Sequence, residues 1–327
     1  MRTRIYLIVI IISLILGGVL LHQFITTNQG LEQKKIQDKL EKTHSDAMIR
    51  ARAGIDVYAT IVSSLKSHLK HRASFPSEIE LQNYLKDLLD EIKFNDSIVV
   101  SYIDKNHVFK YVVTPNAIDP PGLKGVSLAK ILSKERIDAL DELMTTDTIR
   151  IFTPINLREG WAGFPFNFTV RDNDNKVLGY MAPIMNTKYL LDYFYVGDYN
   201  KEFTHKFIVS DSIDLTREAI YNETTLFNKN TDPEYYKNFN ILDDEFISSN
   251  IEVFGLKLKI GSAYKKRPTV SNTIAYLAYL WYFIISLAII IIFSLFSKNA
   301  KLNSYLNLAN TQINIKNTEL EKSIFRI

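Results

Sequence analysis

The segment 151-IFTPINLREGWAGFPFNFTVRDNDNKVLGYMAPI-184 is rich in aromatic residues, nearly free of charge through its middle, and interrupted by glycine and proline. Runs of β-branched and aromatic residues are typical of strands, and Asn and Asp side chains are typical of turns. The pattern therefore predicts three strands, at residues 148–155, 164–171 and 177–184, with a turn at residues 172–175.

Successive side chains of a strand point to opposite faces of a sheet. This period of two places three aromatic residues of the second strand on one face, which we predict to be mostly core: Phe164, Phe166 and Phe168. Gly160, Gly163 and Pro165 interrupt the strand pattern, as residues do at bulges and at close approaches of two backbones. The segment also carries polar groups that could line a binding surface: Asn156, Arg158, Asn167 and Arg171.

The residues before this segment predict a hairpin and several helices. Residues 97–104 and 108–115 are two β-branched and aromatic runs separated by Lys-Asn-His, which predicts a β-hairpin. Ser77 followed three residues later by Glu80 is a capping-box signature at a helix start. Helical spacing of apolar side chains predicts two further helices, at residues 127–144 and 31–72. The second of these is long enough to be a stalk.

The residues after the segment repeat this pattern on a smaller scale. Asn186 is a predicted N-cap for a short helix. Residues 205–212 predict a strand, and residues 244–264 end in another. The stretch at 226–240 is polar and predicted to be irregular. The whole therefore has an α/β pattern, with a larger module followed by a partial second one.

Both ends of the chain are apolar. Residues 5–21 and 273–297 carry no charge, and Phe24 and Ile25 can extend the first run. A helix needs about 20 such residues to cross a membrane, so we predict two spans. A cleaved signal peptide is the alternative for the first run. We expect a retained anchor, because the run is longer than a usual signal core and no small-x-small site follows it.

Two spans place both ends of the chain on one side of the membrane. The positive-inside rule favours Arg2 and Lys298 in the cytoplasm, although a basic cluster at residues 265–267 lies on the opposite flank of the second run. We therefore predict a two-pass protein of the cell membrane with both termini cytoplasmic. Residues 26–271 would then form an extracytoplasmic domain, periplasmic or extracellular.

The segment at residues 298–327 has apolar residues at alternating three- and four-residue steps, which predicts a coiled coil continuing from the second span. A solvated juxtamembrane helix is the alternative. The segment is too short to form a kinase, a cyclase or a methyl-accepting domain. The chain has no Walker loop, no GxSxG, no HExxH and no Gly-rich dinucleotide turn. We therefore expect no enzymatic activity, no cofactor and no metal site.

Composition narrows the range of partners. The chain of 327 residues has no cysteine, which excludes disulfides, thiolate nucleophiles and cysteine-based metal sites. Its net charge of +3 is close to balance, so no basic surface field indicates a nucleic-acid partner.

Three runs of the chain resemble the CHASE extracellular sensor domain: VSYIDKNHVFKYVVTPNA with GVSLAKIL, then FTPINLREGWAGFPFNFTVRD, then KVLGYMAPIMNTKYLLDYF. That family shows a strand motif ending near a proline, a helix, a strand entry with Thr or Ser near a proline, and two glycine-containing strands before a short helix. The matching positions here are Tyr102, Asp104, Tyr111, Pro115, Gly125, Thr153, Pro154, Gly163 and Gly179. The resemblance covers residues 95–196 and is looser over 30–94 and 200–265.

The resemblance implies a membrane-anchored α/β sensor. It would have a long N-terminal stalk helix and two PAS-like α/β modules, flanked by two transmembrane helices. The implied domains are a transmembrane helix at 5–25, a stalk with connecting helices at 26–94, a membrane-distal module at 95–196, a membrane-proximal module at 197–267, a second transmembrane helix at 273–297 and a cytoplasmic coiled-coil linker at 298–327.

In this family the membrane-distal module binds a small ligand. By position, the ligand-binding strands here would be residues 155–159 and 163–170. The implied binding residues are Leu157, Arg158, Trp161, Phe166 and Asn167. Cytokinin receptors of this family also hold a purine with an acidic residue in the preceding helix. Glu135 is the candidate for that role here, but it does not align without a gap, so cytokinin itself is not implied.

The residues and the resemblance together predict the input region of a transmembrane sensor. We expect a homodimer that binds a small molecule and signals through the second span to a histidine kinase or another output module outside this chain. One alternative is a pocketless interaction module that pairs with a separate signalling partner. Another is a surface hydrolase, which would need a nucleophile clustered with a base such as His107 or His205.

Overall fold

The computed structural model describes residues 2–72, 74–94, 98–158, 160–194, 201–210, 213–215 and 240–324. The helices in this part of the chain are α1 (Arg2–Lys70), α2 (Glu78–Glu91), α3 (Lys134–Met144), α4 (Thr187–Phe194) and α5 (Thr273–Ile324), with single 3-10 turns at Leu128–Lys130 and Asp243–Glu245. The strands are β1 (Ile98–Asp104), β2 (Phe109–Val113), β3 (Ile149–Ile151), β4 (Ile155–Asn156), β5 (Ala162–Arg171), β6 (Val177–Asn186), β7 (Phe203–Val209), β8 (Ile213–Asp214), β9 (Ile247–Val253) and β10 (Leu256–Tyr264).

The chain divides into two compact units. The first, Met1–Ile36 with Thr269–Ile327, holds the two apolar helical segments, whose most apolar stretches have mean hydropathies of 2.7 and 2.4 and no buried residues. Within this unit the segments touch, since the Tyr282 hydroxyl donates to the Leu14 carbonyl and His22 Nδ1 lies 2.7 Å from the Tyr279 hydroxyl. Their length and composition suit membrane crossing and are consistent with a two-pass membrane protein.

The second unit, Gln37–Pro268, contains two antiparallel sheets. The first has the strand order β2-β1-β6-β5-β3, with β4 also paired to β5. The second has the order β8-β7-β10-β9. The predicted long N-terminal helix is confirmed, as α1 runs to Lys70 without a break. Two sheets with helices make an α/β architecture, while the assignment of two PAS-like modules and their boundaries stays a prediction.

The main core lies between α1 and one face of the first sheet. The three phenylalanines of β5 that share a face, Phe164, Phe166 and Phe168, are at most 1% exposed, as predicted. The ring of Phe166 lies 4.9 Å from that of Tyr58 on α1. The same core cluster extends along α1 to apolar residues of the second sheet, including Phe207 and Ile260. The opposite face of the first sheet packs against α3 through a separate apolar cluster.

Local signals in the sequence predicted several elements correctly. Ser77 and Glu80 form the reciprocal capping box at the start of α2. β1 and β2 form the predicted hairpin, and the 172–175 turn joins β5 to β6. Asn186 Oδ1 accepts a hydrogen bond from the Lys188 amide at the start of α4.

Other elements differ from prediction for identifiable reasons. The single helix expected over 127–144 is interrupted, because Ser133 has extended φ and ψ of −67° and 157° as the N-cap of α3. The strand expected over 148–155 is split into β3 and β4 around Pro154, which has no N–H to donate. Residues 244–264 form a hairpin whose turn uses positive φ at Phe254 and Gly255. The 205–212 strand begins at Phe203, and its predicted end at 211–212, like most of the 226–240 stretch, lies outside the described residues.

A chain of buried polar side chains ties α1 to the second sheet. The Ser262 hydroxyl on β10 lies 3.0 Å from His44 Nδ1 and 2.9 Å from His205 Nδ1. The other ring nitrogen of His44 lies 2.9 Å from the Ser249 hydroxyl. Ser262 has one proton to donate and can accept one in return, so it satisfies two neutral imidazoles at once.

Gly179 is the site of the closest backbone approach in the first sheet. A Cβ at this position would lie 2.1 Å from the Ile103 carbonyl oxygen. We expect Gly179→Ala to lower the free energy of unfolding by about 1–3 kcal/mol, because the neighbouring β1 backbone would have to move. Gly30→Ala is the control, since nothing lies within 4 Å of that helical position. We expect the melting temperature to fall in Gly179→Ala and to rise in Gly30→Ala, because alanine favours a helix more than glycine does. Equal shifts in the two variants would contradict a close backbone contact at Gly179.

The histidine chain predicts a loss of stability in acid. Burial lowers the pKa of His44, and burial, then the charge of Arg50, lowers the pKa of His205 to about 3 from its ordinary value of 6.5. Because the folded pKa values are depressed, the stabilisation is complete above pH 6.5 and is lost as the pH falls from 6.5 towards about 3. We expect the melting temperature to fall between pH 7 and pH 5, and to fall less in His205→Leu. An equal fall in both proteins would contradict this role of His205.

Candidate functional site

A cavity of about 130 Å³ lies on the α3 side of the first sheet. Its floor is formed by side chains of the central strands, including Val99, Ser101, Pro165, Asn167, Tyr180 and Ala182. The 3-10 turn at Leu128–Lys130 and α3 cover it with apolar side chains such as Leu128, Leu132 and Leu140. Residues 155–158, which follow Pro154, complete its rim.

The alternation of β5 explains why this face can hold a cavity. The even-numbered phenylalanines pack towards α1, so the intervening residues Pro165 and Asn167 face α3. Asn167 pairs with Arg150 of β3. The register of β5 with β6 places it opposite Ala182, which in turn pairs with Ser101 of β1. Three small or polar residues therefore meet at the centre of a sheet whose other face is filled by aromatic rings, and they leave space under α3.

Asn167 is the central polar group of the floor. Its side chain is 4% exposed, and its Oδ1 atom is buried with no hydrogen-bond partner among the residues that the structure describes. A buried acceptor without a donor costs about 1–3 kcal/mol, so native proteins seldom retain one without a reason. Asn167 is one of the residues that line the cavity.

Two guanidinium groups also line the cavity. Arg136 on α3 is half-buried, and its Nη2 donates to the Thr153 carbonyl at 2.6 Å. Burial lowers the pKa of the Arg136 guanidinium, since desolvation disfavours its charged form. Arg158 is exposed at the rim and lies 3.4 Å from the Pro121 carbonyl. Both groups therefore hold the rim loops through backbone carbonyls.

The phenol of Tyr180 lies at one end of the floor and is already engaged. Its hydroxyl lies 3.1 Å from His107 Nδ1, and His107 Nε2 lies 3.1 Å from Asp141 Oδ1. An Nε2–H bonded to Asp141 would leave Nδ1 to accept the proton of the Tyr180 hydroxyl. Burial, then the charge of Asp141, raises the pKa of Tyr180, so this wall of the cavity stays neutral.

The structure brings together three of the residues nominated from the sequence. Leu157, Arg158 and Asn167 all line the cavity. Trp161 is half-buried and packs against the apolar cluster under α3 without lining the cavity.

The other two nominated residues lie elsewhere. Phe166 is on the opposite face of the sheet, packed against Tyr58, because it is one residue out of phase with Asn167. Glu135 is exposed on α3 and lines a separate open groove next to the second sheet. Neither residue lines the cavity.

Several lining residues were missed from the sequence. Arg136 directly follows Glu135, and its spacing of four residues from Leu140 places both on one face of α3. That spacing was a usable signal. Ser101, Tyr180 and Ala182 become neighbours of Asn167 only through strand pairing, which sequence periodicity does not reveal.

Other chemistry is limited in the described part of the chain. No group of three or more His, Asp or Glu side chains there could hold a metal ion. Two serines contact histidines there: Ser262, which is 0% exposed, lies against His44 and His205, and the half-buried Ser249 lies against His44. Neither serine lines the cavity, and we assign no catalytic role to either contact.

The comparisons with known proteins give structural likenesses only. No family model matches the chain, and no curated protein matches it. Among solved structures, the sensory domain of the Campylobacter jejuni chemoreceptor Tlp3 with isoleucine bound is 11% identical, with 70% of this chain and 93% of that chain covered and a TM-score of 0.44.

Two further solved structures are similar to this chain at comparable levels of identity. The ligand-binding domain of the Pseudomonas aeruginosa PAO1 amino-acid chemoreceptor PctC in complex with GABA is 13% identical, with 68% and 98% covered and a TM-score of 0.44. An extracellular ligand-binding receptor from Desulfohalobium retbaense is 11% identical, with 72% and 40% covered and a TM-score of 0.39. At such values the function has to be argued from the cavity of this chain.

The orphan acceptor predicts a stabilising substitution. Asn167→Leu removes a buried amide oxygen without a donor and keeps the side-chain size similar. We therefore expect it to raise the free energy of unfolding of the unliganded protein by about 1 kcal/mol. Asn250→Leu is the control, because Asn250 is exposed on β9 and its replacement should change stability little. Thermal unfolding measures both, and a destabilised Asn167→Leu would show that Oδ1 is satisfied in the free protein.

Proposed function

We propose that this chain is the input region of a membrane-anchored sensor and that the cavity under α3 binds its small-molecule ligand. The observation that carries the proposal is the buried Oδ1 of Asn167, which has no hydrogen-bond partner among the described residues and belongs to a residue on the floor of a mostly apolar cavity. Small-molecule sites typically combine apolar walls with a few placed polar groups. The two apolar helices at the ends of the chain would anchor this domain in the membrane.

The size of the cavity supports a small ligand. Its volume of about 130 Å³ is close to that of an engineered apolar cavity of about 150 Å³ that binds benzene. A ligand with a hydrogen-bond donor would regain the free energy that the unpaired Asn167 acceptor costs in the empty protein. Binding would therefore be favoured by a specific interaction as well as by apolar contact.

The position of the cavity suggests how binding would be transmitted. The strands that form the floor of the cavity have a second face, which packs on α1. The apolar core on that face continues along α1 to the second sheet. β10 of that sheet leads through residues 265–272 into α5. A ligand can shift such a system only if it binds one of two packing states more tightly. The proposed signal passes through α5 to a histidine kinase or another output module.

The finer features belong to the same proposal. The two sheets would be two PAS-like modules of a CHASE-like domain at residues 26–271, outside the cytoplasm, with both termini inside. The exposed apolar residues of α5 beyond Ser297, such as Leu302, Leu306 and Ile313, support a coiled-coil linker and a homodimer. The chain itself would have no catalytic activity. The presence of a cavity favours ligand binding over a pocketless interaction module.

Filling the cavity tests the proposed function. Ala182 is 6% exposed and lines the floor, so the extra methyl groups of Ala182→Leu would occupy the ligand space. The full chain in detergent would be screened by thermal shift against small metabolites. We expect at least one compound to raise the melting temperature of the parent protein and to have no effect on Ala182→Leu.

Ala139→Leu is the matched control, because it adds the same atoms on α3 in the open groove outside the cavity. It should keep the response to the ligand. An equal ligand response in Ala182→Leu and the parent protein, or a screen without any stabilising compound, would count against the cavity as the ligand site.

A further inference from the structure

We infer that the cavity selects a short-chain carboxylate that carries a hydroxyl or amide N–H donor and no ammonium group. This inference rests on the proposed function and specifies its ligand. It is drawn from the charges, the hydrogen-bonding state and the size of the residues that line the cavity.

Among the described residues that line the cavity, the charged side chains are all positive. Arg136 and Arg158 are among its lining residues, and no Asp or Glu is among those that the structure describes there. Within the described residues, neither guanidinium has a carboxylate within 4.0 Å. Two arginines elsewhere in the domain do have such partners: Arg72 lies 2.7 Å from Glu80, and Arg150 lies 3.0 Å from Glu142. The cavity is therefore electropositive and favours an anion.

Arg136 is the better placed of the two for this purpose. It is half-buried, so its charge has lost part of its hydration. Among the described residues, its hydrogen-bond acceptor is the neutral carbonyl of Thr153, and its Cζ lies 5.9 Å from the centre of the Phe152 ring. A carboxylate in the cavity would compensate the charge, and the planar guanidinium matches a carboxylate with two parallel hydrogen bonds. Glu135, the acidic candidate from the sequence, is not among the lining residues of the cavity and lines the neighbouring groove, which Arg136 also borders.

The second polar requirement comes from Asn167. Its buried Oδ1 accepts hydrogen bonds and has no donor among the described residues, so a ligand donor that reaches it would complete its hydrogen bonding. An ammonium group could also donate, but it would bring a positive charge next to two arginines in a site whose described lining residues include no carboxylate, and burying such a charge is costly. A hydroxyl or an amide N–H supplies the same hydrogen bond without the charge.

The remaining wall of the cavity is apolar and limits the ligand length. Val99, Leu128 and Ala182 can only contact hydrocarbon, and the volume of about 130 Å³ suits a molecule of roughly six to eight non-hydrogen atoms. A short α-hydroxy acid satisfies all three requirements: a carboxylate for Arg136, a hydroxyl for Asn167 and a small alkyl group for the walls.

Four compounds of nearly equal size separate these requirements. α-Hydroxybutyrate has the acid and the hydroxyl, butyrate lacks the hydroxyl, α-hydroxybutyramide lacks the charge, and α-aminobutyrate replaces the hydroxyl with an ammonium. Binding to the full chain in detergent would be measured by isothermal titration calorimetry. We expect α-hydroxybutyrate to bind most tightly, with each of the other three weakened about tenfold or more.

Two variants test which side chain binds the carboxylate and which binds the hydroxyl of the ligand. Arg136→Gln should weaken α-hydroxybutyrate about tenfold and leave α-hydroxybutyramide nearly unchanged. Asn167→Leu should remove the preference for α-hydroxybutyrate over butyrate. Arg72→Gln is the control, since Arg72 pairs with Glu80 and does not line the cavity, and it should bind all four compounds as the parent protein does.

Three results would overturn the inference. They are tighter or equal binding of the amide or of the amino acid, an unchanged affinity for α-hydroxybutyrate in Arg136→Gln, or no binding of any of the four compounds at millimolar concentration. The proposed function is judged separately. A metabolite of another class that stabilises the parent protein but not Ala182→Leu would sustain the cavity as the ligand site while refuting the carboxylate.

Discussion

The packing of the phenylalanine face of β5 against α1 is the constraint on which the rest of the domain depends. The rings of Phe166 and Tyr58 are in contact at a tilt of 53°, and Phe164 and Phe168 are about as deeply buried as Phe166. Because the three phenylalanines pack into the core, and successive side chains of a strand point to opposite faces, Asn167 must face α3. The burial of the phenylalanine face therefore determines where the cavity lies and which polar group is at its floor.

The two faces of the first sheet differ in how completely their side chains fill space and pair their polar groups. The face on α1 is filled by large rings with almost no exposure. The face on α3 combines Ser101, Ala182 and Asn167 with a cavity and a buried acceptor that has no donor in the described residues. Protein interiors are normally close-packed with their polar groups paired, so such exceptions concentrate where function requires them. Stability lost at this floor is offset by the fully packed face behind it.

The local parts of the fold were readable from the sequence because they depend on neighbouring residues. The capping box at Ser77 and the β1–β2 hairpin involve interactions within a few residues. The interruption before α3 was missed because the apolar spacing continues through Ser133 while the backbone becomes extended there. Glu135 was assigned to the site by resemblance. One residue along a helix is a rotation of about 100°, so Arg136 faces the cavity instead.

By itself, the sequence determined two apolar segments, a long helix, the strand alternation of β5 and the absence of any cysteine chemistry, since each depends on composition or on a short period. Only the tertiary structure decided which side chains meet. Ser101, Asn167 and Ala182 come from three strands that are neighbours through pairing, and Arg136 reaches them from a helix that crosses their face. A binding site is a set of distances between distant residues, and such distances are fixed by packing rather than by periodicity.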